Sequence, residues 1–301
     1  HVTDEIIKRI AFAGDKEKAD IVVVELGGTA GEYQNALYYE ASRILAHNKK
    51  NKVLHVHVSY LPTPSHLGEP KTKPTQLSVR TLNSMGILPD FIVARAEKPM
   101  DERRRQRLAL FCSVDPENVI DSVDLPSAYE TPLSLAKQKL DEKILELLDM
   151  PIRKQNFIAW ETMTKTIDKK KDTSVTIAIV GKYFATGDYQ LRDSYAALMD
   201  AIDHASWRLS IGTNVRWIQS EKLEKGSLEY LSEADGIIVP IGWGSRGVEG
   251  KIKAINFARV HNVPYLGLCY GMQLAVVEYA RNVLGLSAAH TIECDSGTPH
   301  P

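Results

Sequence analysis

Cysteine is scarce in this chain, with three in 301 residues, Cys112, Cys269 and Cys294. They are too few and too scattered for a disulfide framework or a metal knuckle, and they fit a reducing, cytoplasmic setting. An excess of charge is missing too: 37 Lys and Arg against 38 Asp and Glu leave a net charge of -1. Such a balance offers no basic footprint, so polymeric nucleic acid is not an expected partner. Long apolar runs are absent; none approaches the ~20 residues of a membrane span, and no membrane partner is expected. What remains, 44% hydrophobic and 25% charged residues, is the composition of a globular protein with room for two domains. The chain opens on His1 rather than Met and closes on the loop-like DSGTPHP, so both ends read as cut.

The chain alternates apolar runs with amphipathic ones, which predicts an α/β fold of two doubly wound domains. In the first, residues 1–149, helices are expected over 4–13, 35–47, 76–85, 101–111 and 134–148. Strands are expected in ADIVVVEL, KVLHVHVSYL and PDFIVAR and over 118–121. Residues 150–173 read as a partly packed linker. The second domain, 174–301, opens with the strand VTIAIVGKY, followed by a helix over 189–206 and the strands NVRWIQS and ADGIIVP. GKY lacks the spacing of a phosphate loop.

Four places carry residues suited to chemistry. Glu25 closes an apolar run and is followed by Gly27, Gly28 and Gly31; at a strand's carboxyl end this suits a metal beside phosphate, or else a solvated loop acid. Lys71 and Lys73, two apart before Pro74, would point the same way from an extended segment and grip a polyphosphate, or else form a solvated basic loop. The run ERRRQR in the helix over 101–111 reads as a wet face. The fourth is VPYLGLCYGMQLAVVEYARNV, where a buried strand turns directly into a helix at Cys269, with Met272, Val276, Val277 and Ala280 at helical spacing. Gly267 and Gly271 flank Cys269 two residues either side, the small-x-nucleophile-x-small pattern of a strained elbow. The helix N-terminus beneath it would favour an anion. A buried core cysteine is the alternative.

GLCYGMQ resembles the nucleophile elbow of class I glutamine amidotransferases, and DGIIVPIGWGSRGVEGKIKAINFARVHNVPYLG is similar to the glutaminase domain of the CTP synthase family. VELGGTAGE and GEPKTKPTQLSV resemble the same family's magnesium and UTP segments. The resemblance implies a flavodoxin-like glutaminase sheet over 174–301 and, over 1–149, part of an amidoligase sheet like that of P-loop NTPases. Cys269 would be the nucleophile. The backbone N–H groups of Gly242 and Tyr270 would form the oxyanion hole, and Gly271, Met272, Gln273 and Glu293 would line the glutamine site.

For the synthase half, the resemblance implies magnesium at Glu25 and UTP or CTP at Glu32, Tyr33, Gln34, Lys71, Thr72, Lys73, Pro74, Thr75, Gln76 and Arg107. ATP would lie at Arg95, Val123, Asp124 and Leu125. The chain departs from the family at Glu32–Asn35, at Ile241, where the family has Gly, and at Tyr270, where it has Leu. A His-Pro-Glu motif carrying the cysteine's partners is expected downstream of this chain and an ATP loop upstream, so the chain by itself should make no CTP. The implied partners are UTP, ATP, L-glutamine and GTP, the last as an activator, in a cytoplasmic homotetramer. Two alternatives are another ATP-dependent amidotransferase of the cobyric acid synthase type and a non-catalytic nucleotide-sensing remnant.

Overall fold

The computed structural model describes residues 1–48, 52–66, 68–169, 171–182, 185–186, 189–190, 195–226 and 228–301. The chain divides into two compact units, His1–Thr164 and Lys165–Pro301.

The first unit opens with helix α1 (Val2–Glu17), none of whose residues is buried. The expected strand ADIVVVEL does not form: residues 21–27 are unpaired, and Val23 is 90% exposed. A strand exists through its ladder, and among the described residues no neighbour pairs with this run. Helix α2 (Ala36–His47) follows. Strand β1 (Val56–Tyr60), helix α3 (Lys73–Ser84), strand β2 (Phe91–Ala96), helix α4 (Glu102–Cys112) and strand β3 (Val119–Val123) then build a parallel sheet in the order β1-β2-β3. Successive side chains of β2 point to opposite faces. Ile92 and Ala94 pack with Val79 of α3 and Leu108 and Cys112 of α4, while Phe91 and Val93 pack with Leu140.

Two expectations in this unit are corrected. The helix expected over 134–148 is two helices, α5 (Thr131–Lys137) and α6 (Leu140–Leu147), separated by Lys139 in the left-handed region at φ 57°. Gln138 turns its amide to the backbone of β3 there, accepting from Asp121 N–H and donating to Asp121 O, both at 2.8 Å. Helix α3 begins at Lys73 rather than Gln76, and Thr72 already has helical backbone angles. Pro74 starts this helix because a first-turn residue needs no N–H partner. Lys71 and Lys73 therefore do not lie on one extended segment; Leu67, in the loop before them, lies outside the described residues.

Helix α7 (Ile158–Asp168) occupies much of the stretch read as a linker, and the division between the units falls within it; Lys170, in the charged end of that stretch, lies outside the described residues. The second unit continues with strand β4 (Ser174–Gly181) and the two-residue strands β5 (Ala185–Thr186) and β6 (Tyr189–Gln190). Tyr183 of the GKY segment lies outside the described residues. Helix α8 (Ala196–Leu209) starts later than expected, because Tyr189 and Gln190 pair in an antiparallel hairpin instead; residues 191–194 of that forecast lie outside the described residues. Strand β7 (Gly212–Gln219), helix α9 (Ser220–Lys225), strand β8 (Gly236–Val239), helix α10 (Val248–Val260), strand β9 (Tyr265–Gly267) and helix α11 (Tyr270–Asn282) complete it.

The strands of the larger sheet are all parallel, in the order β7-β4-β8-β9. Val248 and Ile252 of α10 and Leu274 and Val277 of α11 cover one face, against Val180 and Val239. Met199 and Ile202 of α8 cover the other, against Ile179 and Ile238. This is the doubly wound, flavodoxin-like order, whose direction reverses between β4 and β8; ligands gather at the carboxyl ends of strands at such a reversal. β9 was expected to be buried, but it is the sheet's edge, and Leu266 is 50% exposed. On α11 the buried stripe is Tyr270, Leu274 and Val277, whereas Met272 and Val276 face solvent.

Candidate active site

Cys269 stands between β9 and α11 with φ 53° and ψ -105°, outside the basins that a residue with a Cβ prefers; such strain costs about 1–3 kcal/mol. Its side chain is exposed, so the buried core cysteine of the alternative reading is not what the structure shows. The flanking glycines explain how the turn fits. A Cβ on Gly267 would sit 2.7 Å from the backbone of Gly271 and Met272, and one on Gly271 would collide with the carbonyl of Val239. Helix α11 therefore starts hard against strands β8 and β9, as only glycine allows. In its first turn the N–H of Gly271 goes to Leu268 O and those of Met272 and Gln273 to Cys269 O. The N–H of Tyr270 has no backbone acceptor among the described residues.

The second expected donor lies in the loop that follows the neighbouring strand, β8. Val239 and Gly267 are paired across β8 and β9, so Gly242 and Tyr270 each stand three residues beyond a paired position at the same carboxyl edge. The loop after β8 has its carbonyls held by side chains. Tyr195 Oη donates to Ile241 O at 3.1 Å, and Lys251 Nζ to Gly242 O at 3.2 Å. Lys182 Nζ donates to Trp243 O, to Gly244 O at 3.2 Å and to Arg246 O at 3.1 Å.

Both lysines are buried. Burial first, and the neighbouring cation second, push the ammonium of Lys251 down to about 8, and burial lowers that of Lys182. Neither lysine was expected in the site, since lysine is ordinarily exposed. The available signal is that Lys251 shares the buried stripe of Val248, Ile252 and Ile255 at helical spacing.

Of the residues expected to hold glutamine, Gln273 and Glu293 are brought together through Thr291, which the sequence reading missed. Thr291 Oγ1 donates to Gln273 Oε1 at 3.3 Å and accepts the N–H of Glu293 at 3.4 Å. Glu293 itself is exposed. Tyr270 is fully buried, and its hydroxyl lies 2.6 Å from Cys294 Sγ; burial, then this bond, raises the phenol. Trp243 packs beside it, ring centroids 5.8 Å apart.

In the first unit the carboxyl edge of β1-β2-β3 gathers most of the expected nucleotide residues. Arg95 and Asp124, expected near ATP with Val123 and Leu125, approach to 3.7 Å across β2 and β3. Lys71 Nζ pairs with Glu69 at 2.5 Å, and Arg104 binds the same carboxylate and Asp101. Lys71 and then Arg104 hold the Glu69 carboxyl below its ordinary range. Arg105 binds Asp121 at 2.6 Å, so the run ERRRQR is only partly the wet face expected of it. Thr72, Thr75 and Gln76 are buried, Gln76 Nε2 donating to Thr72 Oγ1 at 3.1 Å; Lys73, Pro74 and Arg107 are exposed.

The residues of the glycine-rich segment are not brought to that loop. Leu26 and Ala30 pack with Leu82, near the far end of α3, about 13 Å along the helix from Lys73 at 1.5 Å per residue. Glu32 is turned inward to the N–H of Thr29 at 2.9 Å, a bond that lowers its carboxyl, while Tyr33 and Gln34 are exposed. Among the described residues no three His, Cys, Asp or Glu side chains gather to hold a metal. Glu25, one exposed carboxylate, fits magnesium in the mode where phosphate and water complete the shell. Two surface recesses, one lined by Lys222 and Tyr230 and the other by Arg105 and Lys143, contain none of the expected site residues.

Residues 1–150 match the family described as CTP synthase N-terminus, and residues 190–298 match glutamine amidotransferase class-I. A CTP synthase of Caldanaerobacter subterraneus is 42% identical over 303 residues, covering 100% of this chain and 55% of the relative. One of Sulfurisphaera tokodaii is 46% identical over 304 residues, covering 100% and 56%. The chain thus spans about half the length of the curated relatives it matches. A solved glutaminase domain of Trypanosoma brucei CTPS with bound acivicin is 36% identical and covers 42% of this chain and 48% of that one. The TM-score between the two is 0.38.

Proposed function

The chain belongs to the CTP synthase family, and from that premise we propose that the protein carrying it aminates UTP to CTP at the expense of ATP, with ammonia taken from glutamine. The observation that carries this reading is Cys269 on its strained, glycine-flanked turn, exposed at the carboxyl edge of a doubly wound sheet. In that reading Cys269 Sγ attacks the side-chain amide carbon of glutamine. A C–S bond forms, the negative charge on the amide oxygen is met by the N–H groups of Tyr270 and Gly242, and the C–N bond breaks. The thiol proton leaves with the nitrogen as ammonia, and water then cleaves the thioester to glutamate and free thiol.

At the other unit, Lys71, Lys73 and Arg107 meet the phosphates and base of UTP, with Thr72, Thr75 and Gln76 buried behind them at the start of α3. Arg95, Val123, Asp124 and Leu125 border ATP. Glu25 would hold magnesium, and that ion would supply positive charge to neutralise phosphate; the terminal phosphoryl group passes from ATP to the carbonyl oxygen of UTP. Ammonia displaces that phosphate. GTP as an activator, a homotetramer and a cytoplasmic location belong to the same reading; no helix among the described residues is long and apolar enough to cross a membrane. The test supplies the whole protein with UTP, ATP, magnesium and glutamine labelled with nitrogen-15 in its amide. Label appearing in the amino group of CTP is the expected result. No CTP from either glutamine or ammonium would leave the nucleotide-sensing alternative.

A further inference from the structure

The loop after β8 must place one backbone N–H with care, yet the residue that carries it has little means to hold it. A Cβ on Gly242 would lie 2.6 Å from Lys251 Nζ, so a side chain there would displace the ammonium that holds Gly242 O. Glycine fits that space and leaves the peptide before it free to rotate. The peptide is trans, as are all those described, so the carbonyl of Ile241 and the N–H of Gly242 point in opposite directions from one plane. Whatever fixes that carbonyl therefore aims the N–H.

Tyr195 fixes it. Its hydroxyl donates to Ile241 O at 3.1 Å. Its ring is 6% exposed and stacks on Trp217 with centroids 6.2 Å apart, so the hydroxyl is delivered from a packed position at the start of α8. The next two carbonyls are held by Lys251 and Lys182, which stops the rotation from being absorbed further along the loop. We propose that Tyr195 is a positioning residue for the oxyanion-binding N–H of Gly242, an inference that rests on the glutaminase reading above. Its effect reaches the reaction through the Ile241–Gly242 peptide plane, without touching the substrate.

The test is Tyr195→Phe in the whole protein, which removes the hydroxyl and keeps the ring. Losing a donor outright costs about 10²–10³ in kcat, and a donor kept but unfixed should cost less, about tenfold, with KM for glutamine within about twofold. Two probes separate positioning from general damage. An aldehyde analogue of glutamine adds to Cys269 and forms an oxyanion, so its affinity should fall by the same factor as kcat/KM. Iodoacetamide alkylates the thiol without forming one, so its rate should not change. Parental kcat and parental aldehyde affinity would overturn the proposal, and so would an equal loss in all three measurements. Cys269→Ala, run alongside, separates the layers. If it abolishes glutamine hydrolysis while Tyr195→Phe is parental, only the positioning role falls; if it keeps hydrolysis, the glutaminase reading falls with it.

Discussion

The ammonium of Lys251 lies 5.3 Å from the ring centroid of Tyr270, and neither side chain has appreciable exposed surface. A cation over an aromatic face with one carbonyl partner is stabilised only in part for its loss of water. This explains why its proton is held to about 8 against an ordinary 10.5.

That displacement predicts a pH dependence of stability. Below about pH 8 the lysine is charged in both states, and the folded chain carries a constant penalty of about 3 kcal/mol. Between 8 and 10.5 the folded state is neutral while the unfolded chain still binds the proton, so stability rises with pH over that window. Urea unfolding of the parent and of Lys251→Met should show their difference moving toward the parent by up to about 3 kcal/mol between pH 8 and 10.5. A difference that stays flat would remove the buried charge from the account.

On the proposed reaction, Cys269→Ala separates two half-reactions, since the thioester step needs sulfur and amination needs ammonia from any source. In the whole protein it should abolish CTP formation from glutamine and leave formation from ammonium salts near the parental rate. Retained glutamine-dependent activity would take Cys269 out of the chemistry.

Lys71→Ala should raise the UTP concentration needed for half-maximal CTP formation while glutamine hydrolysis continues. A lost charge-assisted contact costs roughly 1.5–3 kcal/mol, about 10- to 150-fold in concentration. The removal also frees the Glu69 carboxylate that now pairs with Lys71, adding a repulsion against phosphate. An unchanged UTP requirement would take this loop out of the nucleotide site.

Gly271→Ala should destabilise the chain by more than about 3 kcal/mol, because the added Cβ meets the carbonyl of Val239, which is backbone and cannot step aside. Gly27→Ala, where nothing lies within 4 Å of the added carbon, should stay within about 0.5 kcal/mol. Thermal unfolding of the two variants side by side measures this, and equal losses would contradict the close approach of α11 to β8.

Much of the second unit was legible in the sequence. VTIAIVG and GIIV are short apolar runs, NVRWIQ sets Val215, Trp217 and Ile218 among polar residues, and each lies in a strand. The elbow was legible for a local reason: two glycines two residues either side of a cysteine leave few ways to join a strand to a helix. ADIVVVEL was equally apolar and formed no strand, because the ladder that makes a strand belongs to its neighbours. The break at Lys139 was hidden in the same way, its cause being a hydrogen bond from Gln138 to a strand seventeen residues away.

By itself, then, the sequence determined what depends on spacing along the chain: the alternation of strands and helices, the turn that strains Cys269, and the closeness of Lys71 and Lys73 ahead of Pro74. Only the tertiary structure decided which carbonyls of the loop after β8 are held, and by whom. Tyr195, Lys182 and Lys251 come from three separate elements and reach that loop across 46, 61 and 9 residues of chain. Hydrogen-bond partners of a backbone carbonyl are chosen by direction and distance in space, and no pattern of residue types along a sequence encodes either.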